Sequence, residues 1–204
     1  MFYETKGNKH GLPRDPFKAC IVPRPIGWIT TLDENGVVNL APFSYFNAVS
    51  APMPMVMFSG SSRPKYGLKD TPANAEKTGE FVCNIATWEL REQMNRTSLH
   101  VPPGTDEMAM VGLDPEPSVL VKPPRVRQSP IHLECKFWQR VELPGGPGPE
   151  TRNVMIIGEV VGIHIKDEVL TDGLVDMAKV RPIARLGYMD FSVVDGLFTM
   201  MRPD

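Results

Sequence analysis

The sequence predicts a mainly-β domain closed into a barrel, and two observations carry that prediction. Runs rich in β-branched and aromatic residues recur along the chain and are separated by turn residues, which is typical of strands. The chain also holds 21 Pro and 17 Gly in 204 residues, which favours turns and short elements over long helices. Roughly six or seven strands and two or three short helices follow, and a barrel is the economical way to remove sheet edges.

Composition excludes several classes of protein. Apolar residues make up 42% and charged residues 23% of the chain, as in an ordinary globular protein. The formal net charge of −2 provides no basic face for nucleic acid or for an acidic membrane. Cys20, Cys83 and Cys135 are far apart and the four histidines are scattered, so we expect neither disulfides nor a metal site. No apolar run reaches membrane-spanning length. We therefore expect a cytoplasmic protein.

The first half of the chain begins with strands. Residues 21–32 are rich in β-branched and aromatic residues, although two prolines confine their start to a sheet edge. The turn over 33–36 contains Asn-Gly, the strongest short hairpin signal, and a second strand is predicted over 37–46. The short apolar run 55–59 predicts a third strand.

A short helix should follow. Thr71 is a good N-cap, Pro72 suits the first helical position, and Gly79 is a natural C-terminal residue in the left-handed conformation. A strand is predicted over 80–86 and a second short helix over 88–97.

The second half begins with one long irregular segment, which two long strands and a short helix follow. Residues 101–127 carry Pro-Pro twice and no sustained period, so they predict a surface excursion with one helical turn near Met108. Strands are predicted over 131–143 and 153–165, and a last helix over about 171–179. Both faces of 153–165 are apolar, whereas a small barrel has a single inward face. We therefore expect a second copy of the chain to cover the outer face, although a helix could serve instead.

Polar residues that suit a phosphate monoester are concentrated before the first helix. Serines around Ser59 and Ser61 supply hydroxyl donors, Arg63 and Lys69 supply charge, and the helix start supplies backbone N–H groups. The alternative is a capped, solvated helix end. The strands over 24–31 and 39–47 offer the flat surface and backbone groups that a planar heterocycle requires. Nucleotide-binding glycine loops and hydrolase motifs are missing from the sequence.

Four motifs make a family resemblance specific. RPIGWITT at 24–31, APFSYFN at 41–47, KDTPAN at 69–74 and RLGYMDF at 185–191 resemble the flavin reductase-like FMN-binding split-barrel family, the flavoredoxin-like group. The resemblance runs from about residue 17 to 195, so we expect an arm over 1–16 and a single domain over 17–204. It implies a six-stranded split barrel with a few short peripheral helices. It also implies a homodimer with noncovalent FMN near the dimer interface.

The resemblance further implies which residues contact the cofactor. Those near the isoalloxazine ring or ribityl chain are Thr30, Thr31, Ser44, Tyr45, Phe46 and Asn47. Those around the phosphate are Ser59, Ser61, Arg63, Lys69, Asp70 and Thr71, with Asn74 facing the same end. Asp70 is acidic, so its expected role is to orient or cap. Arg185 and Tyr188 belong to an RLGG-type motif in which Tyr188 replaces the second glycine.

The implied function is redox chemistry carried by FMN, with hydride from NADH or NADPH passed on to a small-molecule acceptor. No catalytic acid or base is required of the protein. One alternative is a non-enzymatic FMN-binding electron carrier reduced by a partner protein, and another is a flavin-less binding module. The excursion and the motif at 185–188 are expected to shape the open side of the ring. Shortening 103–118 is accordingly expected to leave FMN bound but to change the KM or the preference for the electron donor or acceptor. The alternative is that the excursion is a dimer-packing arm with no contact to substrate.

Overall fold

The computed structural model describes residues 1–62, 67–145 and 152–203. The strands in these ranges are β1 (Arg24–Pro25), β2 (Gly27–Leu32), β3 (Val38–Phe43), β4 (Phe46–Ser50), β5 (Met55–Ser61), β6 (Glu80–Ile85), β7 (Pro115–Glu116), β8 (Arg125–Val126), β9 (Ile131–Leu143), β10 (Asn153–Ile165), β11 (Leu170–Thr171), β12 (Leu174–Val175), β13 (Ile183–Arg185) and β14 (Phe191–Val193). The α-helices are α1 (Asp70–Thr78), α2 (Arg91–Arg96), α3 (Glu107–Met110) and α4 (Met177–Val180), and 3-10 turns lie at Phe17–Ala19 and Asp167–Val169.

The main sheet is antiparallel and has seven strands within the described ranges, in the order β3-β2-β6-β9-β10-β5-β4. Its two edge strands, β3 and β4, are consecutive in sequence and are joined by Ser44–Tyr45. The described strands form no ladder between them, so the barrel is split at this point. The sequence predicts one strand over 37–46 and roughly six or seven strands in total, whereas the family resemblance implies a six-stranded barrel. The extra strand arises because the chain bends after Phe43 and begins a new strand at Phe46.

A hydrophobic core fills the inside of the curved sheet. Its buried residues are Ile29, Phe43, Phe46, Val56, Phe58, Ala75, Phe81, Cys83, Cys135 and Ile156. Two glycines make room for aromatic rings: a Cβ on Gly27 would lie 2.5 Å from the Phe46 ring, and one on Gly158 would lie 2.4 Å from the Phe81 ring. Helix α1 contributes Ala75 to this core. The helix is thereby fixed beside the inner face of the barrel.

A second core lies on the opposite face of β2 and β3. Trp28 and Leu40 point into it, and the Trp28 indole N–H donates to the Thr97 hydroxyl at 2.9 Å. The excursion covers this core with Met108, Val111, Leu113 and Val126. The helical turn predicted near Met108 is therefore confirmed as α3. Met108, Val111 and Leu113 lie within 103–118, so shortening this segment would also remove core residues.

Several predicted boundaries are wrong at the start of the chain. The strand predicted over 21–32 is two strands, because β1 leaves the main sheet and pairs with β13. Helix α1 begins two residues earlier than predicted, with Lys69 rather than Thr71 as its N-cap residue. The Thr71 hydroxyl does not cap the helix but donates to the Asn39 side chain at 2.7 Å. Gly79 does end the helix as predicted, with a left-handed φ of 77°.

Boundaries also differ for the later helices. The helix predicted over 88–97 is confined to α2. The helix predicted over 171–179 is mostly a hairpin of β11 and β12, because Asp172 and Gly173 both adopt positive φ and turn the chain. Only α4 remains helical there, capped by the Asp176 side chain.

The two long strands are confirmed with their predicted bounds, as β9 and β10. They pair over their full length with two register shifts. The Gly- and Pro-rich run 144–150 between them, whose composition predicts a turn, lies largely outside the described residues. No helix in the described ranges is long and apolar enough to cross a membrane.

Candidate functional site

A groove runs along the edge strand β3, where the barrel is split. It consists of three adjoining cavities of ≈ 40, ≈ 200 and ≈ 580 Å³. Pro42 and Ser98 line both the first and the second cavity. Met94, Asn95, Arg185 and Phe191 line both the second and the third. The three cavities therefore form one continuous surface between β3, α2 and the small β1–β13–β14 sheet.

The first cavity, called here the helix end, lies at the start of α1 and is lined by Lys69, Asp70 and Thr71. The N-cap residue Lys69 makes no capping hydrogen bond through its side chain, and Asp70 places a carboxylate in the first turn of α1. The Lys69 ammonium lies 4.9 Å from the centre of the Phe43 ring, and a Cβ on Gly60 would lie 3.7 Å from the Lys69 stem. The lysine is thus held beside the end of β5.

A buried polar network supports the helix end from below. Asn39 accepts hydrogen bonds from the Thr71 hydroxyl at 2.7 Å and the Thr31 hydroxyl at 3.3 Å. Asn74 donates to the Thr31 hydroxyl at 3.3 Å. These bonds fix α1 against β2 and β3. Thr31, Thr71 and Asn74 are thereby brought together, as the predicted site requires, although their hydroxyl and amide groups already have partners.

Glu107 completes this network, and sequence reasoning missed it. It is only 3% exposed, yet it lines the helix end together with Lys69. Its carboxylate accepts from the Asn39 amide at 3.0 and 3.1 Å and from the Leu40 backbone N–H at 2.9 Å. Burial raises the pKa of the carboxyl above its usual range, against the effect of these hydrogen bonds. The sequence carries no signal for this role, since an acid in an aperiodic loop is ordinarily exposed.

Thr30 lies on the other face of β2 from Thr31. It is fully buried and accepts from the Asn84 amide at 2.8 Å, while Asn84 also accepts from the Val126 backbone N–H at 2.8 Å. Thr30 lines none of the groove's three cavities. In this structure its hydroxyl holds β2 to β6 and, through Asn84, to the excursion.

Only some of the predicted site residues at the split, Ser44 to Asn47, lie at the groove. Ser44 lines the second cavity, and the Tyr45 ring lies 5.9 Å from the Arg24 guanidinium carbon. The Tyr45 carbonyl accepts from the Ser59 N–H at 2.8 Å, which joins the split to β5. Phe46 points into the barrel core. Asn47 is exposed on β4 and accepts from the Ala48 N–H.

Ser59 and Ser61 lie at the end of β5 that faces the start of α1. The Ser59 hydroxyl donates to the Asn153 side chain at 3.4 Å, and Ser61 is exposed. Neither serine lines one of the three cavities. Arg63, the remaining residue predicted at the phosphate, lies outside the described residues.

Arg185 and Tyr188 lie at the far side of the second cavity, called here the arginine end, together with Arg24 and Lys18. Arg24 and Arg185 are directly opposite each other in the β1–β13 ladder. The third cavity, called here the apolar cavity, continues from this point between α2 and β14 and is lined by Trp88. Over the ranges that the structure describes, no group of three or more His, Cys, Asp or Glu side chains could hold a metal ion.

The groove therefore has a helix end that contains Lys69, an arginine end that contains Arg24 and Arg185, and largely apolar walls between them. The helix end combines a lysine with a helix N-terminus, which suits a phosphate group. The middle offers Ile26, Pro42 and Met94 beside Ser44 and Asn95, which suits a flat ring with polar edges. No acid–base pair poised for proton transfer lines it in the described chain, where the groove's acids are Asp70, Glu92 and Glu107.

The chain is similar in sequence to known proteins. The family model described as "Flavin reductase like domain" matches residues 19–184. An uncharacterized protein of Aquifex aeolicus (strain VF5) is 40% identical over 168 residues, which is 82% of each chain.

Solved structures share the fold. Nitrilotriacetate monooxygenase component B from Bacillus cereus superposes with a TM-score of 0.88 at 28% identity, covering 98% of both chains. A protein from Shewanella frigidimarina NCIMB 400, described as a flavin reductase with a split barrel domain, has a TM-score of 0.78 at 23% identity and covers 98% of this chain and 94% of its own. The predicted split-barrel class is therefore confirmed.

Proposed function

This chain belongs to the flavin reductase-like domain family, which makes it a flavin-related oxidoreductase, and from that premise we propose that it binds FMN in the groove and reduces it with NADH or NADPH. Electrons then pass to a small-molecule acceptor. The observation that carries the proposal is the position of Lys69 at the start of α1, where the groove begins. A cation and the backbone N–H groups of a helix start at one end of an apolar-walled groove are what a flavin mononucleotide requires.

The residues present fit FMN by their chemistry. Lys69 and the first turn of α1 supply charge and N–H donors for a phosphate, and Arg63 follows β5 in the sequence close to the same helix. Ser44, Asn95 and Ser98 supply polar groups along walls that are otherwise apolar. The chemistry supplied by bound FMN is the acceptance of hydride and the delivery of electrons to an acceptor.

The remaining work falls to this chain's own residues. Lys69 binds and neutralises the phosphate, so the ring is held at a fixed distance along the groove. The network of Thr31, Asn39 and Thr71 keeps the helix end in place. Apolar side chains such as Pro42 and Met94 exclude water from one side of the ring. The wider third cavity leaves room for a second molecule beside it.

The test is a rapid-mixing experiment under anaerobic conditions. The FMN-loaded protein is mixed separately with NADH and with NADPH, and the loss of oxidised flavin absorbance is followed. We expect one of them to reduce the flavin in a saturable manner and a later addition of ferricyanide to restore the absorbance. Reduction only in the presence of another reductase would instead make the chain an electron carrier. Failure to retain FMN after reconstitution would refute the proposal.

A further inference from the structure

The arginine end of the groove has an unbalanced positive charge. Lys18, Arg24 and Arg185 all line the second cavity, and no acidic residue lines it in the described chain. None of the three forms an ion pair with a described residue. Like charges placed directly opposite each other across an antiparallel pair are unfavourable, yet Arg24 and Arg185 occupy such positions.

Arg24 is held so firmly that its charge cannot move away. Its side chain is only 6% exposed, and its guanidinium donates to the backbone carbonyls of Lys18, Ile21 and Leu186 at 2.5–2.9 Å. Its Nε group is buried with no hydrogen-bond partner in the described residues. Carbonyl oxygens satisfy donors but do not cancel the charge. A buried cation without a counterion is costly, and an anionic ligand relieves that cost.

Arg185 completes the cation pair. Its Nη2 group donates to the Tyr188 carbonyl, and its guanidinium carbon lies 4.4 Å from the centre of the Phe191 ring. Burial, followed by the charge of Arg24, lowers the pKa of the Arg185 guanidinium, while Asp190 opposes the change. Arg185 stays charged at neutral pH because the ordinary pKa of an arginine side chain is so high.

The Tyr188 backbone adds an independent sign of a specialised site. Tyr188 has a φ of +55°, a left-handed conformation that a bulky residue rarely adopts. Gly187 beside it packs so tightly that a Cβ would lie 2.5 Å from the Ala19 Cβ. The turn is therefore held against the N-terminal segment, and it presents the Tyr188 side chain to the second cavity. Strained residues of this kind cluster where ligands are bound.

The apolar cavity next to the cation pair indicates what the rest of the ligand resembles. Trp88, Ile183, Phe191 and Val193 line its ≈ 580 Å³, with Arg91 packed on the Trp88 ring at 4.0 Å. Glu92 is the acid that lines it. A ligand with an aromatic or aliphatic body and one anionic group matches this arrangement.

We propose that the arginine end binds the carboxylate of an acidic aromatic second substrate, whose apolar body lies in the apolar cavity. The proposal rests on the proposed function, because it treats the helix end as the site of the flavin phosphate and the arginine end as a site for a different molecule. A dinucleotide donor fits less well, since its pyrophosphate carries two charges on a polar body while the adjoining walls are apolar.

The test uses benzoate as probe and benzamide as its neutral isostere. Isothermal titration calorimetry on the FMN-loaded protein should show benzoate binding about tenfold or more tighter than benzamide, because a charge-assisted contact is lost in the amide. Arg185→Gln should abolish this preference, and Arg185→Lys should retain part of it. Arg127→Gln, which removes an exposed arginine elsewhere, should leave it unchanged. Equal affinities for the two probes in the unmodified protein would overturn the proposal.

Three further readouts separate this site from the cofactor site. Arg185→Gln should leave the ratio of FMN to riboflavin affinity unchanged, and a selective loss of FMN would overturn the proposal by assigning Arg185 to the flavin phosphate. A rise in the KM for NADH or NADPH with unchanged benzoate binding would overturn it by assigning Arg185 to the donor. Calorimetry needs no flavin signal, so a protein that binds no FMN but prefers benzoate would refute the proposed function and support the anion site.

Discussion

In the proposed function, Lys69 is the residue on which the orientation of FMN depends. It is the N-cap residue of α1, it packs on the Phe43 ring, and it lines the helix end of the groove. A phosphate placed there gains a charge-assisted hydrogen bond in addition to the helix dipole. Riboflavin lacks the phosphate, so a comparison of the two flavins isolates the contribution of this residue.

We predict that Lys69→Ala weakens FMN binding by about 1.5–3 kcal/mol, or roughly tenfold to a hundredfold, with little change for riboflavin. Adding Arg63→Ala should bring the loss to about two orders of magnitude or more. Flavin fluorescence titrations measure both affinities. Lys77→Ala, near the other end of the same helix, is the matched control and should change neither. Equal losses for FMN and riboflavin would show that Lys69 does not bind the phosphate.

His132 makes the stability of the fold depend on pH. It is buried, and its Nε2 group is 2.8 Å from the Val126 carbonyl, to which it donates. Burial, helped by the charges of Arg125 and His164, lowers the pKa of His132 to about 4, against the Val126 carbonyl and Glu116. Between the usual histidine pKa of 6.5 and pH 4, His132 binds a proton in the unfolded chain but stays neutral in the folded protein. Stability is therefore lost as the pH falls through that window.

We predict that the free energy of unfolding falls by about 2 kcal/mol between pH 7 and pH 5 because of His132 alone. In the His132→Gln variant the amide can still donate to the Val126 carbonyl. The free energy of unfolding of this variant should fall by about 2 kcal/mol less over the same pH interval. Urea unfolding at the two pH values measures the difference. The pKa of Glu134 is lowered, so the stability that this carboxylate contributes is lost only below this pH interval. Parallel losses in the two proteins would contradict the assignment.

Among the secondary-structure elements, two buried carboxylates attach the excursion (residues 101–127) to strands of the barrel. Glu107 fastens α3 to β3 through Asn39 and Leu40. Glu134 on β9 accepts from the backbone N–H groups of Val119 and Leu120 at 2.8 and 2.6 Å. Burial would raise the pKa of Glu134, but these N–H groups and His164 lower it below its usual range. The excursion is therefore an integral part of the fold.

We predict that Glu107→Ala lowers the free energy of unfolding by about 2–3 kcal/mol, because the Asn39 amide and the Leu40 N–H lose their acceptor in a buried place. Glu107→Gln should cost clearly less, since it keeps an acceptor oxygen and removes a carboxylate whose pKa is already raised by burial. Urea unfolding at pH 7 measures both. Asp106→Ala, which removes only the cap of α3, should cost about 1 kcal/mol. Equal costs for the alanine and glutamine variants would disprove the docking role of Glu107.

At the scale of the whole molecule, one chain leaves many apolar side chains exposed. The tail after β14 has no secondary structure, and Leu197, Phe198, Met200 and Met201 are 60–87% exposed. On the β9–β10 hairpin, Trp138 and Ile163 are also more than half exposed. Exposed apolar side chains in such number indicate a surface that another chain covers. A homodimer remains our expectation.

We predict that light scattering at about micromolar concentration gives twice the 22.7 kDa mass of one chain. Removing residues 196–204 should weaken dimerisation by about tenfold or more, because each large apolar side chain removed from an interface contributes about 1.5–3 kcal/mol. Removing only 202–204 is the control and should have little effect. A single-chain mass for the intact protein would refute the dimer. Full dimerisation without the tail would place the interface elsewhere, on the β9–β10 face.

The sequence by itself determined the elements whose patterns are local. The alternation and length of β9 and β10, the positive φ at Gly79, and the motifs that identify the family are all visible in the chain. Such features depend on propensities and periodicities within a few residues. They were enough to predict the split barrel and the segments that border the groove.

Only the tertiary structure decided which side chains share that groove. Glu107 and Asn39 are 68 residues apart, and Arg24 and Arg185 are 161 residues apart, so no local pattern could pair them. Thr30 and Thr31 look equivalent in the sequence, but they face opposite sides of β2 and serve different networks. The reason is physical: burial and hydrogen-bond partners are set by packing between distant segments, and a neighbouring residue on a strand points the other way.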